Sequence, residues 1–167
     1  IANSDMLILD PSGQMAENIK LGSTLSMDKF SNKKFHYMIA NPPYGVDWKV
    51  DQDDVKREYD LGYSGRFGPG LPPVSDGQLL FLLNMIDKIK SVKEGGGRIA
   101  IVMSGSSLFT GDANRGMTEI RRYVLENDLL ETVVAVPEQM FYNTDIGTYI
   151  WVLTNRKSKE RKGAVQL

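Results

Sequence analysis

Four short apolar runs punctuate the chain, and between them lie stretches whose apolar residues recur at steps of three and four. The runs cover residues 35–40, 98–103, 132–136 and 148–154. Prolines stop the first and third, and Gly95-Gly96-Gly97 precede the second. Such punctuation marks strand ends. Residues 18–21 make a shorter, fifth candidate. The runs at 98–103 and 132–136 are dense in Ile and Val with little alternation, the pattern of a sheet covered on both faces. Within 76–93, Leu79, Leu82, Leu83, Ile86 and Ile89 share one helical stripe. Ser75 or Asp76 stands where a cap would start that helix, and the glycines where it would end. Met117, Ile120 and Val124 give a second stripe inside 114–127. This alternation of strand and helix predicts an α/β fold around a largely parallel sheet. The link between the last two strands carries no helical pattern, so they are expected as an antiparallel hairpin at the sheet edge.

One segment breaks the alternation. Residues 45–75 read as a long loop insertion, charged from Asp47 to Asp60 and rich in glycine and proline from Leu61 to Pro73. Loops of that length are usually functional or disordered. Residues 1–167 as a whole read as a single partial domain.

Composition narrows the partners. The chain has 167 residues, 41% hydrophobic and 25% charged, with a net charge of −1. That suffices for a real core, but it lacks the basic surplus with which many proteins grip nucleic acid unaided. There is no cysteine, which excludes disulfides and thiolate metal sites; no metal site is expected, and a reducing, cytoplasmic location fits. No apolar run approaches the roughly 20 residues of a membrane span, so no membrane partner is expected. The first residues, Ile1-Ala2-Asn3-Ser4-Asp5, lack a signal-peptide pattern and read as the start of a piece of a longer chain. The basic tail from Arg156 to Lys162 reads as a solvated chain end.

The candidate chemistry sits at Asn41-Pro42-Pro43-Tyr44, directly after the first predicted strand. In open α/β sheets, ligands bind beyond the carboxyl ends of strands. The residue types suit an amino nitrogen whose lone pair is delocalised into a ring. Two acceptors aimed at its hydrogens, the Asn41 side-chain oxygen and the Pro42 carbonyl, would hold it and draw it toward a tetrahedral form. Proline fixes the local backbone and adds no competing N–H. Tyr44 offers a face for a base extruded from the duplex, as enzymes acting on bases require. No tuned general base is needed, because the proton can leave after the methyl has moved. His36 reads as structural, with no triad or metal partner nearby. Arg66 reads as a solvated loop arginine, with a phosphate contact as the alternative.

Several motifs in order resemble the modification (methyltransferase) subunit of type I restriction–modification systems, the N6-adenine DNA methylases. They are residues 19–25 (IKLGSTL), the strand into Asn41-Pro42-Pro43-Tyr44-Gly45, Ser75-Asp76-Gly77-Gln78 with its helix, and residues 97–102 (GRIAIV). Residues 107–111 (SLFTG), Glu119-Ile120-Arg121-Arg122, and residues 137–144 (PEQMFYNT) with the final strand complete the set. The resemblance implies a Rossmann-like fold that uses S-adenosylmethionine, acts on double-stranded DNA, and works with a specificity subunit and a restriction subunit. It implies that Asn41, Pro42, Pro43 and Tyr44 are catalytic and hold the target adenine. Phe141 and Tyr142 would form the second wall of the base pocket, and Ser23, Asp76 and Gln78 would face the cofactor. Many relatives carry Asp where this chain has Ser23. The family's glycine-rich cofactor loop and ribose-holding acid would lie upstream of residue 1, so the fold is expected to be truncated at its N-terminus. Gly95-Gly96-Gly97 cannot replace that loop, because they precede a strand rather than follow one.

The motif leaves alternatives open. A cytosine N4 methyltransferase would use the same chemistry, and a protein-glutamine methyltransferase also uses Asn-Pro-Pro-Tyr. A third alternative is an inactive fragment that serves only subunit interaction. With two central strands expected to be missing, the strand ending at Asn41 should be a sheet edge that promotes self-association. Residues 18–21 should then be displaced, irregular, or paired against 35–40.

Overall fold

Four strands form one sheet in the computed structural model, which describes residues 2–113, 115–141 and 146–167. They are β1 (Tyr37–Ala40), β2 (Arg98–Ser104), β3 (Leu130–Val136) and β4 (Thr148–Thr154), in the order β1-β2-β4-β3. β1 pairs parallel with β2, whereas β4 runs antiparallel to both β2 and β3. The sheet is therefore mixed rather than largely parallel. The link across 137–147 is too short for the helical crossover that a parallel return needs, so the chain turns back. The returning β4 inserts between β2 and β3 and is interior; only β3 takes the edge. β1 is the opposite edge. Residues 18–21 form no strand: a 3-10 turn at Ala16–Asn18 is followed by irregular backbone.

Register separates the two faces of the sheet. Met38, Ile99, Leu153 and Ala40, Ile101, Trp151, Val133 lie in rows on one face. Most of these are buried under helices, and they carry the core. On the other face Ile39, Ala100 and Val152 form one row, with Tyr37 and Arg98 on one side of it and Val102, Ile150 and Val134 on the other. Ile39 is 87% exposed and Tyr37 76% exposed. Among the described residues the sheet is thus covered on one face, not both, although its second face is as apolar as the sequence requires of a buried one.

The covering layer is α3 (Gln78–Asp87) and α5 (Gly116–Glu126). Leu79, Leu80, Leu82 and Leu83 of α3 are buried against Ile120 and Val124 of α5 and the sheet. α3 stops earlier than its periodicity suggests. The Phe35 N–H donates to the Lys88 carbonyl at 2.8 Å, and the Lys90 N–H donates to the Phe35 carbonyl at 3.0 Å. This pairing ahead of β1 draws residues 88–90 out of the helix. Its start has Gly77 as N-cap with no side-chain cap. Gly97 is where the backbones crowd: an added Cβ would lie 2.7 Å from the His36 carbonyl oxygen. His36 precedes the strand rather than lying in it, and its Nδ1 is 2.8 Å from the Gly96 carbonyl, a structural contact.

The segment 45–75 is more than a loop. It contains α2 (Gln52–Tyr59) and contributes Trp48, Val55 and Phe67 to the core. Its charged first half is the outer face of that helix. Arg66 is neither solvated nor poised for a phosphate. Its side chain is 13% exposed and pairs with Glu58 at 2.7 Å. It also donates to the Thr24 and Leu25 carbonyls and to Asn84 Oδ1. One guanidinium thereby ties the insertion to the 24–28 turn and to α3. Asp28 joins the same cluster through an ion pair with Lys88. Two further helices are α1 (Ala2–Leu9), which buries no residue, and the short α4 (Ser106–Phe109) after β2.

Candidate active site

Asn41 follows β1 immediately, so the motif leaves the sheet at the carboxyl end of a strand. Pro42 is buried, while Asn41 and Pro43 are exposed. Gly45 then turns the chain at φ +60°, a conformation that favours glycine. The exit is pinned to the segment before α3. The Gly77 N–H donates to the Val46 carbonyl at 3.3 Å, and the Trp48 N–H to the Val74 carbonyl at 3.0 Å. The indole Nε1 of the buried Trp48 donates to the Pro73 carbonyl at 2.9 Å. Both ends of the 45–75 segment therefore meet, and Tyr44 is brought beside Asp76.

These two residues share a cavity of about 590 Å³. Tyr44 and Gly45 line it together with Asp76, Ser104 and Ser106, and with Gly147 and Tyr149 around the start of β4. β2 and β4 meet there because Ser104 pairs with Thr148. Phe109 stands edge-on to Tyr149, with ring centroids 6.3 Å apart. Asp76 is the one charged side chain among the described lining residues.

The Tyr44 hydroxyl donates to Asn41 Oδ1 at 2.5 Å. Burial pushes the Tyr44 phenol up from its ordinary range, so it stays protonated and a donor at neutral pH. A carbonyl oxygen has two acceptor sites, so Asn41 keeps one for an incoming N–H.

The remaining residues singled out in the sequence fall differently. Ser23 does not line this cavity. Its Oγ accepts the N–H groups of Leu25 at 3.2 Å and Ser26 at 3.4 Å, closing a turn. Gln78 is buried behind Asp76 instead of facing the space. Phe141 is half-buried, and Tyr142 lies outside the described residues. Sequence reasoning missed Ser104, Ser106 and Tyr149. Their signal was only positional, at the carboxyl end of β2 and the start of its antiparallel neighbour.

The size of the cavity is that of a cofactor or nucleoside site, and its carboxylate suits a ligand bearing positive charge or N–H donors. A family model described as N-6 DNA Methylase matches residues 1–167. The methylase subunit of the HindI type I restriction enzyme from Haemophilus influenzae is 31% identical over 135 residues, 80% of this chain and 27% of that protein. The MjaVII methylase subunit from Methanocaldococcus jannaschii is 28% identical over 152 residues, 88% of this chain and 24% of that protein. A solved type I restriction-modification methyltransferase subunit from Streptococcus thermophilus superposes with a TM-score of 0.67 at 27% identity, covering 93% of this chain and 33% of that one. The chain thus spans about a quarter of the length of these two named relatives.

Proposed function

The chain belongs to the N-6 DNA methylase family, and from that premise we propose that it is part of a site-specific DNA methyltransferase, the modification subunit of a type I restriction–modification system. The enzyme would transfer a methyl group from S-adenosylmethionine to the N6 amino nitrogen of an adenine flipped out of double-stranded DNA. It would act in the cytoplasm with a specificity subunit and a restriction subunit. The observation that carries this reading is the placement of Asn41-Pro42-Pro43-Tyr44 at the end of β1, with Tyr44 on the wall of a cavity it shares with Asp76.

Each motif residue has a task that its surroundings support. Asn41 Oδ1 and the Pro42 carbonyl accept the two amino hydrogens of adenine, which pulls electron density back onto the nitrogen. The Tyr44 ring stacks on the flipped base, and its hydroxyl keeps the Asn41 amide oriented. Phe141 and Tyr142 are assigned to the second wall of the base pocket by resemblance to the family's motif alone. When bound, S-adenosylmethionine supplies an electrophilic methyl on a sulfonium, and the cavity fits its positive charge through Asp76.

Isotopically labelled cofactor, offered to the complete enzyme with duplex DNA and with protein, tests the substrate class. Label is expected in DNA and, after digestion to nucleosides, in N6-methyladenine. Label in protein glutamine, or in N4-methylcytosine, would overturn the assignment.

A further inference from the structure

Gln78 is 1% exposed, yet every polar atom of its side chain is used at the cavity wall. Its Oε1 accepts the Ser104 N–H at 2.8 Å. A backbone N–H can only donate, so the amide has one orientation. Its Nε2 donates to Asp76 Oδ1 and Oδ2, both at 2.8 Å, and to Ser104 Oγ at 2.9 Å. Ser106 Oγ donates to Asp76 Oδ2 at 3.0 Å and lies 2.7 Å from Ser104 Oγ. The contacts close a ring: Asp76, Gln78, Ser104, Ser106 and back to Asp76. Three members line the cavity and Gln78 does not.

We propose that Gln78 is a positioning residue that sets the direction of the Asp76 carboxylate, and through it the binding of the positively charged methyl donor. This rests on the reading of the cavity as the methyl-transfer site. A carboxylate at the start of a helix can swing among several rotamers. The buried amide removes that freedom by holding both of its oxygens from behind, with Ser106 holding one from the side. The carboxylate's remaining acceptor capacity faces the cavity. A neutral amide suits the task where a carboxyl does not, since a second carboxylate would repel Asp76. The other titratable groups among the described lining residues are the phenols of Tyr44 and Tyr149.

The test is calorimetric binding of S-adenosylmethionine to the complete methylase, at pH 8 and pH 6, with thermal unfolding measured alongside. Gln78→Leu should weaken binding at least about tenfold at both pH values, as expected when a charge-assisted hydrogen bond is lost. Gln78→Glu should be weakened at pH 8 and recover several-fold at pH 6. There the like charge of Asp76 raises the new carboxyl's affinity for a proton, and that proton replaces the lost amide hydrogen. Ser106→Ala, which leaves the buried amide in place, should weaken binding about threefold or more with unchanged unfolding temperature. It carries the test if the Gln78 variants do not fold. Binding like wild type by Ser106→Ala, or the same pH response in both Gln78 variants, would overturn the positioning role alone. A wild-type enzyme that binds no S-adenosylmethionine would overturn the cavity reading and this inference with it.

Discussion

Asn41 and Tyr44 were legible as a pair from four letters, but their contact was not. The acceptor assigned to the base already holds the tyrosine hydroxyl, so the two residues act as a unit before any base arrives. Tyr44→Phe keeps the ring and loses that donor. A single neutral hydrogen bond is worth about 1 kcal/mol, so methyl transfer by the complete enzyme should fall no more than about tenfold. Tyr44→Ala also loses stacking, worth roughly 1–3 kcal/mol per base, and should fall below the Phe variant by roughly 5- to 150-fold. Equal rates for the two variants would show that the ring is not a stacking platform. Asp76 and Gln78 were legible as site residues only by resemblance. Spacing along a helix start cannot say that one faces the cavity and the other stands behind it, since that depends on Ser104 from a distant strand. Arg66 was misread for the same reason. Its partners at 24, 25, 58 and 84 are invisible to any local pattern.

Among the elements, the four strands were found because apolar runs and their punctuation are local signals. The antiparallel pairing of β3 with β4 was legible too, but β4's place between β2 and β3 was not, because it depends on contacts far apart in sequence. The 45–75 segment hid its helix for another reason: α2 presents a single buried residue, Val55, on a charged background. That segment is held by the Arg66 cluster, which gives a stability prediction. Burial alone pushes Asp28 and Glu58 up. For Asp28 the Lys88 ammonium and the Phe30 N–H outweigh it, and for Glu58 the Arg66 guanidinium does. Both folded-state values are therefore lowered from 3.8 and 4.5. Their contribution is complete above those ordinary values and is lost as pH falls through the lowered ones. Denaturant midpoints should hold from pH 7 to pH 5 and drop below pH 4. Losing the charge-assisted hydrogen bonds of this partly buried guanidinium costs about 1.5–3 kcal/mol. Arg66→Ala should therefore be less stable by roughly that much at pH 7 and show a shallower acid loss. An unchanged midpoint at pH 7 would contradict the role of this cluster.

At the scale of the whole molecule, the Ile and Val density of the strands correctly announced two apolar sheet faces, but one of them is uncovered among the described residues. Tyr37 and Ile39 are exposed on the β1 edge and Val134 on β3 at the opposite edge, and among the described residues no strand pairs with the outer side of β1. Such edges recruit other chains, so the 167-residue chain by itself should self-associate with rising concentration in sedimentation. A strictly monomeric chain at high concentration would contradict this. Replacing Ile39 and Tyr37 by Lys should lower the association without touching the cavity. The account as a whole depends on the strand-end motif being the place where the amino nitrogen is held. Its most direct test is the rate of methyl transfer by the complete enzyme carrying Asn41→Ala. Losing an acceptor that acts in the transition state costs roughly 3 kcal/mol, so the rate should fall at least about a hundredfold, with folding and cofactor affinity preserved. Methylation at close to the wild-type rate by that variant would contradict the account.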